Sequence, residues 1–168
     1  MADKVYNVLF LCTGNSARSI LAEAILQQEG EGRFKAYSAG SQPKGEPHPL
    51  ALELLQQLDH DTAGLRSKSW DEFAGADAPQ MDFIITVCDN AAGETCPIWP
   101  GKPASAHWGI PDPAAAEGSL ADQQAAFDKA YAQMSARIVK LTGLRFDTME
   151  PAQLKKKLAE IGTTKDLV

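Results

Sequence analysis

The stretch Cys12-Thr13-Gly14-Asn15-Ser16-Ala17-Arg18-Ser19 decides how this chain folds and what it can bind. It follows an apolar run over residues 5–11 that predicts a buried strand, and it leads into a helical pattern over residues 18–29. We expect the hydroxyls of Ser16 and Ser19 to cap that helix. A loop between a strand and a helix N-terminus collects backbone N–H groups at the positive end of the helix dipole. The stretch therefore predicts a binding site for an oxyanion.

Two side chains of this loop point to chemistry as well as binding. The planar guanidinium of Arg18 matches two oxygens of a tetrahedral anion, and the positive potential around Cys12 favours its thiolate form. Gly14 and Asn15 tolerate the positive φ angles that a tight loop needs. The predicted oxyanion-binding residues are Thr13, Gly14, Asn15, Ser16, Ala17, Arg18 and Ser19. The alternative is a buried cysteine at a strand end with a surface arginine further along.

The bulk composition describes an ordinary globular protein. The chain has 168 residues, 44% of them hydrophobic, and a net charge of −6. This length predicts a chain able to bury its own core, and the negative charge argues against nucleic acid or an anionic membrane as the main partner. No apolar run approaches the roughly 20 residues of a membrane span, and the N-terminus has no secretory pattern. We predict a monomeric, cytoplasmic protein.

Strand and helix patterns alternate along the chain. Strands are predicted at residues 5–11, 34–38, 83–87 and 104–108, helices at 18–29, 48–58, 120–141 and 151–161, and a short helical turn at 70–73. Such alternation predicts a three-layer α/β fold, in which a four-stranded parallel sheet has helices on both faces. Ligands of these folds bind beyond the carboxyl ends of the strands. Cys12, Ser38 and Cys88 all fall at predicted strand ends, so we expect them to converge.

Three cysteines, Cys12, Cys88 and Cys96, form a second pattern. An odd number in a chain without a secretory signal argues against a structural disulfide framework. Three is the number that a nucleophile and an exchangeable pair require, because thiol–disulfide exchange needs an attacking and a resolving thiol. The alternative is that Cys88 and Cys96 are unrelated small residues.

The motif C-x-G-N-x-x-R-S directly after a first strand resembles the low-molecular-weight protein tyrosine phosphatases and the arsenate reductases built on the same fold. Tyr37-Ser38-Ala39-Gly40 resembles the second strand and turn of that family, and His107-Trp108-Gly109-Ile110-Pro111-Asp112-Pro113 resembles its acid loop. The resemblance implies a phosphatase-like α/β catalytic domain over residues 1–145. Residues 146–168 then form a helical extension packed on or beside it.

Cys88 and Cys96 sharpen the resemblance to the arsenate reductase branch, which carries two redox cysteines on this loop. The resemblance implies reduction of arsenate to arsenite for arsenic detoxification, with Cys12 as nucleophile and a Cys88/Cys96 disulfide relay. It makes Arg18 the anion-binding residue and Asp112 the general acid. It also implies an external thiol, either thioredoxin or glutaredoxin with glutathione, and no bound cofactor.

Two departures from the family pattern affect the ligands we predict. Pro113 is followed by three alanines, so no aromatic side chain flanks the ring of an aryl phosphate. Asn15, Glu23 and Ser38 resemble part of a potassium site found in some of these reductases. The aspartate expected within residues 66–69 is missing and Lys68 adds a positive charge, so we predict no metal.

Two other functions remain open. A low-molecular-weight protein tyrosine phosphatase or small-phosphomonoester phosphatase would use Cys12, Arg18 and Asp112 in the same roles, with water hydrolysing the Cys12 adduct. A non-catalytic redox sensor would instead switch partner binding when Cys12 is oxidised. The number of cysteines needed for turnover separates the three functions.

Overall fold

The elements of the fold follow the predicted order along the chain. The computed structural model describes residues 5–75, 78–87, 104–145 and 148–162. The strands are β1 (Tyr6–Leu11), β2 (Phe34–Ala39), β3 (Phe83–Thr86) and β4 (Ala104–His107). The helices are α1 (Arg18–Glu29), α2 (Pro49–Gln57), α3 (Leu120–Thr142) and α4 (Pro151–Gly162), with 3₁₀ turns at Trp70–Phe73 and Pro113–Ala115.

The four strands form one parallel sheet in the order β2-β1-β3-β4. Leu11 is in register with Ala39 on one side and with Thr86 on the other. Thr86 is in turn in register with His107. All four strands therefore end at one edge, as the sequence predicts, and the chain segments that follow them meet there. The predicted α/β class with a four-stranded parallel sheet is confirmed. Among the described residues, all four α-helices contribute to one of the two apolar clusters that flank the sheet.

Alternation along the strands separates two apolar clusters. Val8 and Phe10 of β1 join the larger cluster, to which all four α-helices contribute. Leu9 and Leu11 join a smaller cluster on the other face of the sheet. The period of two residues is that of a strand buried on both faces, which explains why β1 is apolar almost throughout.

Among the described residues, the 3₁₀ turn at Trp70–Phe73 covers the face of the sheet that carries the smaller cluster. Phe73 is buried in the smaller cluster, and its ring makes an edge contact with Tyr37 of β2 at 5.4 Å between centroids. Ser69 caps this turn by accepting a hydrogen bond from the Asp71 N–H. The turn fixes the segment before it, which runs beside the loop that follows β1.

Helix α4 packs against β4 and joins the larger core. Leu158 is fully buried, and its carbonyl accepts a 2.9 Å hydrogen bond from the indole N–H of Trp108. Gly162 lies so close to β4 that a Cβ there would be 2.3 Å from the His107 carbonyl oxygen. The helix is thus anchored to the end of β4, which leads into residues 108–114. The domain boundary at residue 145 remains a prediction.

Among the described helices, none combines the length and the apolar composition that crossing a membrane requires.

Candidate active site

The loop after β1, which we call the cysteine loop (residues 12–18), is held from the outside through its carbonyl groups. The carbonyls of Thr13, Gly14 and Ser16 accept backbone hydrogen bonds of 2.8–3.0 Å from N–H groups of residues 42–48. Because the C=O and N–H of a trans peptide point in opposite directions, the N–H groups of the same three peptide units face away from that segment. Cys12 is 6% exposed at the start of this loop. These N–H groups are therefore directed away from residues 42–48, in the loop that begins with the Cys12 thiol.

The N-terminus of α1 completes the loop without a side-chain cap. Ala17 is the N-cap residue and makes no capping hydrogen bond. The predicted caps from Ser16 and Ser19 are therefore wrong: the Ser19 hydroxyl accepts a 2.8 Å hydrogen bond from the side-chain amide of Asn15 instead. An uncapped helix start leaves N–H groups to be satisfied by another acceptor, which an anion supplies.

Asn15 gives the loop its shape. It is fully buried, its φ is 44°, and its side-chain carbonyl accepts a 2.9 Å hydrogen bond from the backbone N–H of Lys68. Asparagine is among the few residues that adopt this left-handed conformation readily. Gly40 allows the close approach behind the loop, because a Cβ there would be 2.5 Å from the Cys12 carbonyl oxygen. The Gly14-Asn15 signal in the sequence thus corresponds to one positive φ, at Asn15.

Arg18 connects the cysteine loop to the segment that carries Asp112. Its Nη1 donates a 3.1 Å hydrogen bond to the Ile110 carbonyl, and its Nη2 lies 3.7 Å from Asp112 Oδ2. Its Nε is buried and has no hydrogen-bond partner among the described residues. A buried guanidinium N–H needs an acceptor, and the described residues do not supply one. The structure therefore brings two of the predicted site residues, Arg18 and Asp112, together.

The acid segment (residues 108–114) is fixed by apolar side chains and leaves its carboxylate accessible. Trp108 and Pro113 are buried, whereas the Asp112 side chain is 39% exposed. Asp112 caps the turn Pro113–Ala115, because its Oδ1 accepts a 2.9 Å hydrogen bond from the Ala114 N–H. This cap and the neighbouring guanidinium hold the carboxylate beside the cysteine loop.

A buried pair of opposite charges lies behind the loop. Glu23 Oε1 accepts a hydrogen bond from the Ser38 hydroxyl and lies 3.8 Å from Lys68 Nζ, which also donates a 3.0 Å hydrogen bond to the Arg66 carbonyl. Burial raises the pKa of Glu23 above its ordinary value, and the nearby Lys68 charge opposes this. Burial lowers the pKa of Lys68, against the attraction of Glu23.

The position of the Lys68 ammonium disfavours a potassium ion here. Its Nζ lies 3.8 Å from the Glu23 carboxylate, so a monovalent metal ion does not fit beside it. Within the described ranges, no group of three or more His, Cys, Asp or Glu side chains could hold a metal. Sequence reasoning noticed the extra charge of Lys68 but missed its pairing with Glu23, because a lysine between two serines carries no signal of burial.

The two remaining predicted site residues, Cys88 and Cys96, lie outside the described residues. Val87, which directly precedes Cys88, donates a 2.9 Å hydrogen bond to the carbonyl of Leu11, which directly precedes Cys12. Sequence reasoning did not foresee the part that residues 42–48 and the Ile110 carbonyl play in holding the loop. In both cases the partner outside the loop is a backbone group, which any residue type can supply.

A cysteine between a parallel strand and an uncapped helix, with an arginine that is 16% exposed in the same loop, is typical of enzymes that act on oxyanions through a thiol. The chain belongs to the low molecular weight phosphotyrosine protein phosphatase family, whose model matches residues 7–160. The resemblance inferred from the sequence is confirmed.

Named relatives within this family are arsenate reductases. The chain is 33% identical to the arsenate reductase of Shouchella clausii over 141 residues, which cover 83% of this chain and 96% of that protein. It is also 33% identical to the arsenate reductase of Bacillus subtilis (strain 168), over 82% of this chain and 94% of that one.

Solved structures show the same fold. The arsenate reductase of Archaeoglobus fulgidus has a TM-score of 0.64 and 28% identity, covering 82% of this chain and 99% of that one. The thioredoxin-dependent arsenate reductase of Corynebacterium glutamicum has a TM-score of 0.60 and 27% identity. That match covers 84% of this chain and 62% of that longer one.

Proposed function

We propose that this protein reduces arsenate to arsenite, with Cys12 as the nucleophile. The observation that carries the proposal is the buried Nε of Arg18, which has no acceptor among the described residues and belongs to the same loop as the N–H groups that face away from residues 42–48. The names of the relatives select arsenate among the tetrahedral oxyanions.

In the first step, the Cys12 thiolate attacks the arsenic atom of a bound arsenate. A sulfur–arsenic bond forms and one arsenic–oxygen bond breaks. Asp112, which lies next to Arg18, donates the proton with which that oxygen leaves as water. Arg18 and the loop N–H groups hold the charge of the remaining oxygens throughout.

In the second step, Cys88 attacks the sulfur of Cys12. A disulfide forms, the sulfur–arsenic bond breaks, and its electron pair stays on arsenic, which leaves as arsenite. The hydrogen bond from Val87 to Leu11 supports this step, because it joins the residues that directly precede the two cysteines. Cys96 then attacks Cys88, which frees Cys12 and leaves a Cys88–Cys96 disulfide.

An external dithiol must reduce that disulfide. We propose thioredoxin, on the strength of the thioredoxin-dependent relative from Corynebacterium glutamicum; glutaredoxin with glutathione is the alternative. The monomeric state and the cytoplasmic location remain predictions from the sequence.

The test is arsenite release from arsenate with each reductant supplied separately. We expect sustained release with thioredoxin, thioredoxin reductase and NADPH, and loss of release when Cys88 is replaced by alanine. Sustained release with glutathione and glutaredoxin alone would support arsenate reduction but identify glutaredoxin, and not thioredoxin, as the partner. Absence of release with either reductant would contradict the proposal.

The second candidate, a phosphatase of this family, is favoured by the family model itself. The residues after Pro113 argue against an aryl phosphate, because Ala114 and Ala115 provide no ring to flank an aromatic leaving group. The Cys88→Ala variant separates the two functions. Hydrolysis of an aryl phosphate needs only Cys12, Arg18 and Asp112, so any such activity should survive this change.

A further inference from the structure

The segment Arg66-Ser67-Lys68-Ser69, which we call the strap, lies directly against the cysteine loop. The Ser67 hydroxyl donates a 3.1 Å hydrogen bond to the Gly14 carbonyl, and the Lys68 N–H donates to the Asn15 side chain. The Lys68 carbonyl accepts a 2.9 Å hydrogen bond from the Gly40 N–H. The strap therefore holds both the left-handed residue of the loop and the glycine packed behind it.

The strap is itself held by the ammonium group of Lys68. The Lys68 side chain is 6% exposed, and its Nζ binds the Arg66 carbonyl within the strap and faces the Glu23 carboxylate on α1. Glu23 is 14% exposed and also binds Ser38, at the end of β2. The pair thus joins the strap to the first helix and the second strand.

We propose that the Lys68 ammonium is a resident counter-cation of Glu23 that positions the cysteine loop, so that the loop binds its oxyanion without an added monovalent cation. Lys68 is a positioning residue, because its ammonium group contacts the Glu23 carboxylate and the Arg66 carbonyl. The inference rests on the proposed oxyanion site, and it goes beyond it by assigning the site's cation requirement.

Removal of the ammonium group has a specific chemical consequence. A buried carboxylate without a partner is unfavourable, and Glu23 loses its nearest positive charge in Lys68→Ala. The oxygens left around the vacated space come from a carboxylate, a hydroxyl and a carbonyl, the donors that hard cations prefer. We therefore expect Lys68→Ala to acquire a response to small cations that the wild-type protein lacks.

The test measures how well inorganic phosphate protects Cys12 from iodoacetamide, followed by mass spectrometry of the Cys12 peptide. It is run in tetramethylammonium, ammonium and potassium chloride at equal ionic strength. For the wild type we expect the same protection in all three salts. For Lys68→Ala we expect protection to weaken about tenfold in tetramethylammonium and to return in ammonium or potassium, since the loss of a single positioning interaction has this size.

Two further variants make the test specific. Lys157→Ala removes the same side chain from an exposed pair, in which Lys157 lies 3.6 Å from Glu160, and should behave as the wild type. The double variant Glu23→Gln with Lys68→Met buries no unpaired charge, so it should fold and show no cation response even if Lys68→Ala does not fold.

The proposal is overturned by cation-dependent protection in the wild type, by equal protection of Lys68→Ala in all three salts, or by a cation response of the double variant. These results are independent of the reductase. Protection needs no turnover, so a protein that responds as expected but releases no arsenite refutes the proposed function alone. A protein that reduces arsenate but lacks the response refutes this inference alone.

Discussion

The cysteine loop and the acid segment reach the same edge of the sheet, but different forces hold them. The loop is fixed by buried polar contacts, among them the two hydrogen bonds of the Asn15 side chain. The acid segment is fixed by the burial of Trp108 and Pro113, while the carboxylate of Asp112 stays 39% exposed. Under the proposed function, the difference corresponds to a preformed anion site beside a proton donor that remains open to solvent. Arg18, the last residue of the cysteine loop, contacts the acid segment at the Ile110 carbonyl and at Asp112.

The largest effect is expected from Cys12→Ser in the cysteine loop. A serine hydroxyl is not ionised at neutral pH, so both arsenate reduction and any phosphatase activity should disappear. Arsenite release and aryl phosphate hydrolysis are measured on the same preparation. Residual arsenite production above a few per cent of the wild-type rate would show that Cys12 is not the nucleophile.

Asp112→Asn tests the other side of the comparison. Loss of a general acid should lower kcat for arsenate roughly 100- to 1000-fold. Because the carboxylate is exposed and belongs to the acid segment, phosphate protection of Cys12 from alkylation should remain. The measurement compares kcat for arsenate with the phosphate protection of Cys12 in the same variant. A variant that loses both would mean that Asp112 shapes the anion site.

Arg18→Lys tests the residue that joins the two segments. Lysine keeps the charge but loses the planar fork, so kcat/KM should fall roughly 30- to 150-fold for the loss of a charge-assisted contact of about 2–3 kcal/mol. Arg33→Lys is the matched control, since Arg33 is exposed and binds the Thr142 carbonyl far from the loop. If Arg18→Lys has wild-type kinetics, the guanidinium of Arg18 does not bind the substrate and has a structural role only.

The last prediction concerns the stability of the loop and is made for Asn15→Ala. Alanine adopts the left-handed conformation less readily than asparagine, and the change leaves the buried Lys68 N–H without its acceptor, at a cost of about 2–4 kcal/mol. The melting temperature should fall by roughly 5–15 °C for a chain of this size. Asp112→Ala, which removes the cap of a short turn and a partly exposed ion pair with Arg18, should lower it far less.

Asn15→Gly separates the two causes of the expected destabilisation, the strain of the left-handed conformation and the loss of the side-chain hydrogen bonds. Glycine tolerates the φ of 44° but makes neither side-chain hydrogen bond, so its melting temperature should lie between those of Asn15→Ala and the wild type. Equal melting temperatures for Asn15→Ala and Asp112→Ala would contradict the view that polar contacts hold the loop more firmly than the acid segment is held.

The sequence predicts the fold well because each strand and helix carries its own periodic signal. The predicted helix over residues 18–29 has those limits in the structure, and the predicted strands differ by one residue at their ends. The position of Cys12 and Arg18 follows from the same signals, since both flank a strand–helix junction. The pairing of Arg18 with Asp112 was implied only by the family resemblance, because 94 positions separate them in the chain.

The contacts behind the loop could not be predicted in the same way. The Asn15 amide binds the backbone of Lys68, and the loop carbonyls bind the backbone of residues 42–48. A backbone partner can be any residue, so such contacts leave no constraint on residue type. The wrong prediction of serine caps has a related cause, because Ser19 is used by Asn15 rather than by the helix end.

The central claim, that Cys88 attacks the sulfur of the Cys12 arsenic adduct and releases arsenite, is tested most directly with Cys96→Ala. The purified, reduced variant is mixed with arsenate and no external thiol, and with phosphate as the matched control. With arsenate we predict a single equivalent of arsenite and a Cys12–Cys88 disulfide, identified by peptide mass spectrometry; with phosphate we predict neither. Absence of that disulfide after exposure to arsenate, together with undiminished aryl phosphate hydrolysis, would contradict the relay and assign the site to the phosphatase.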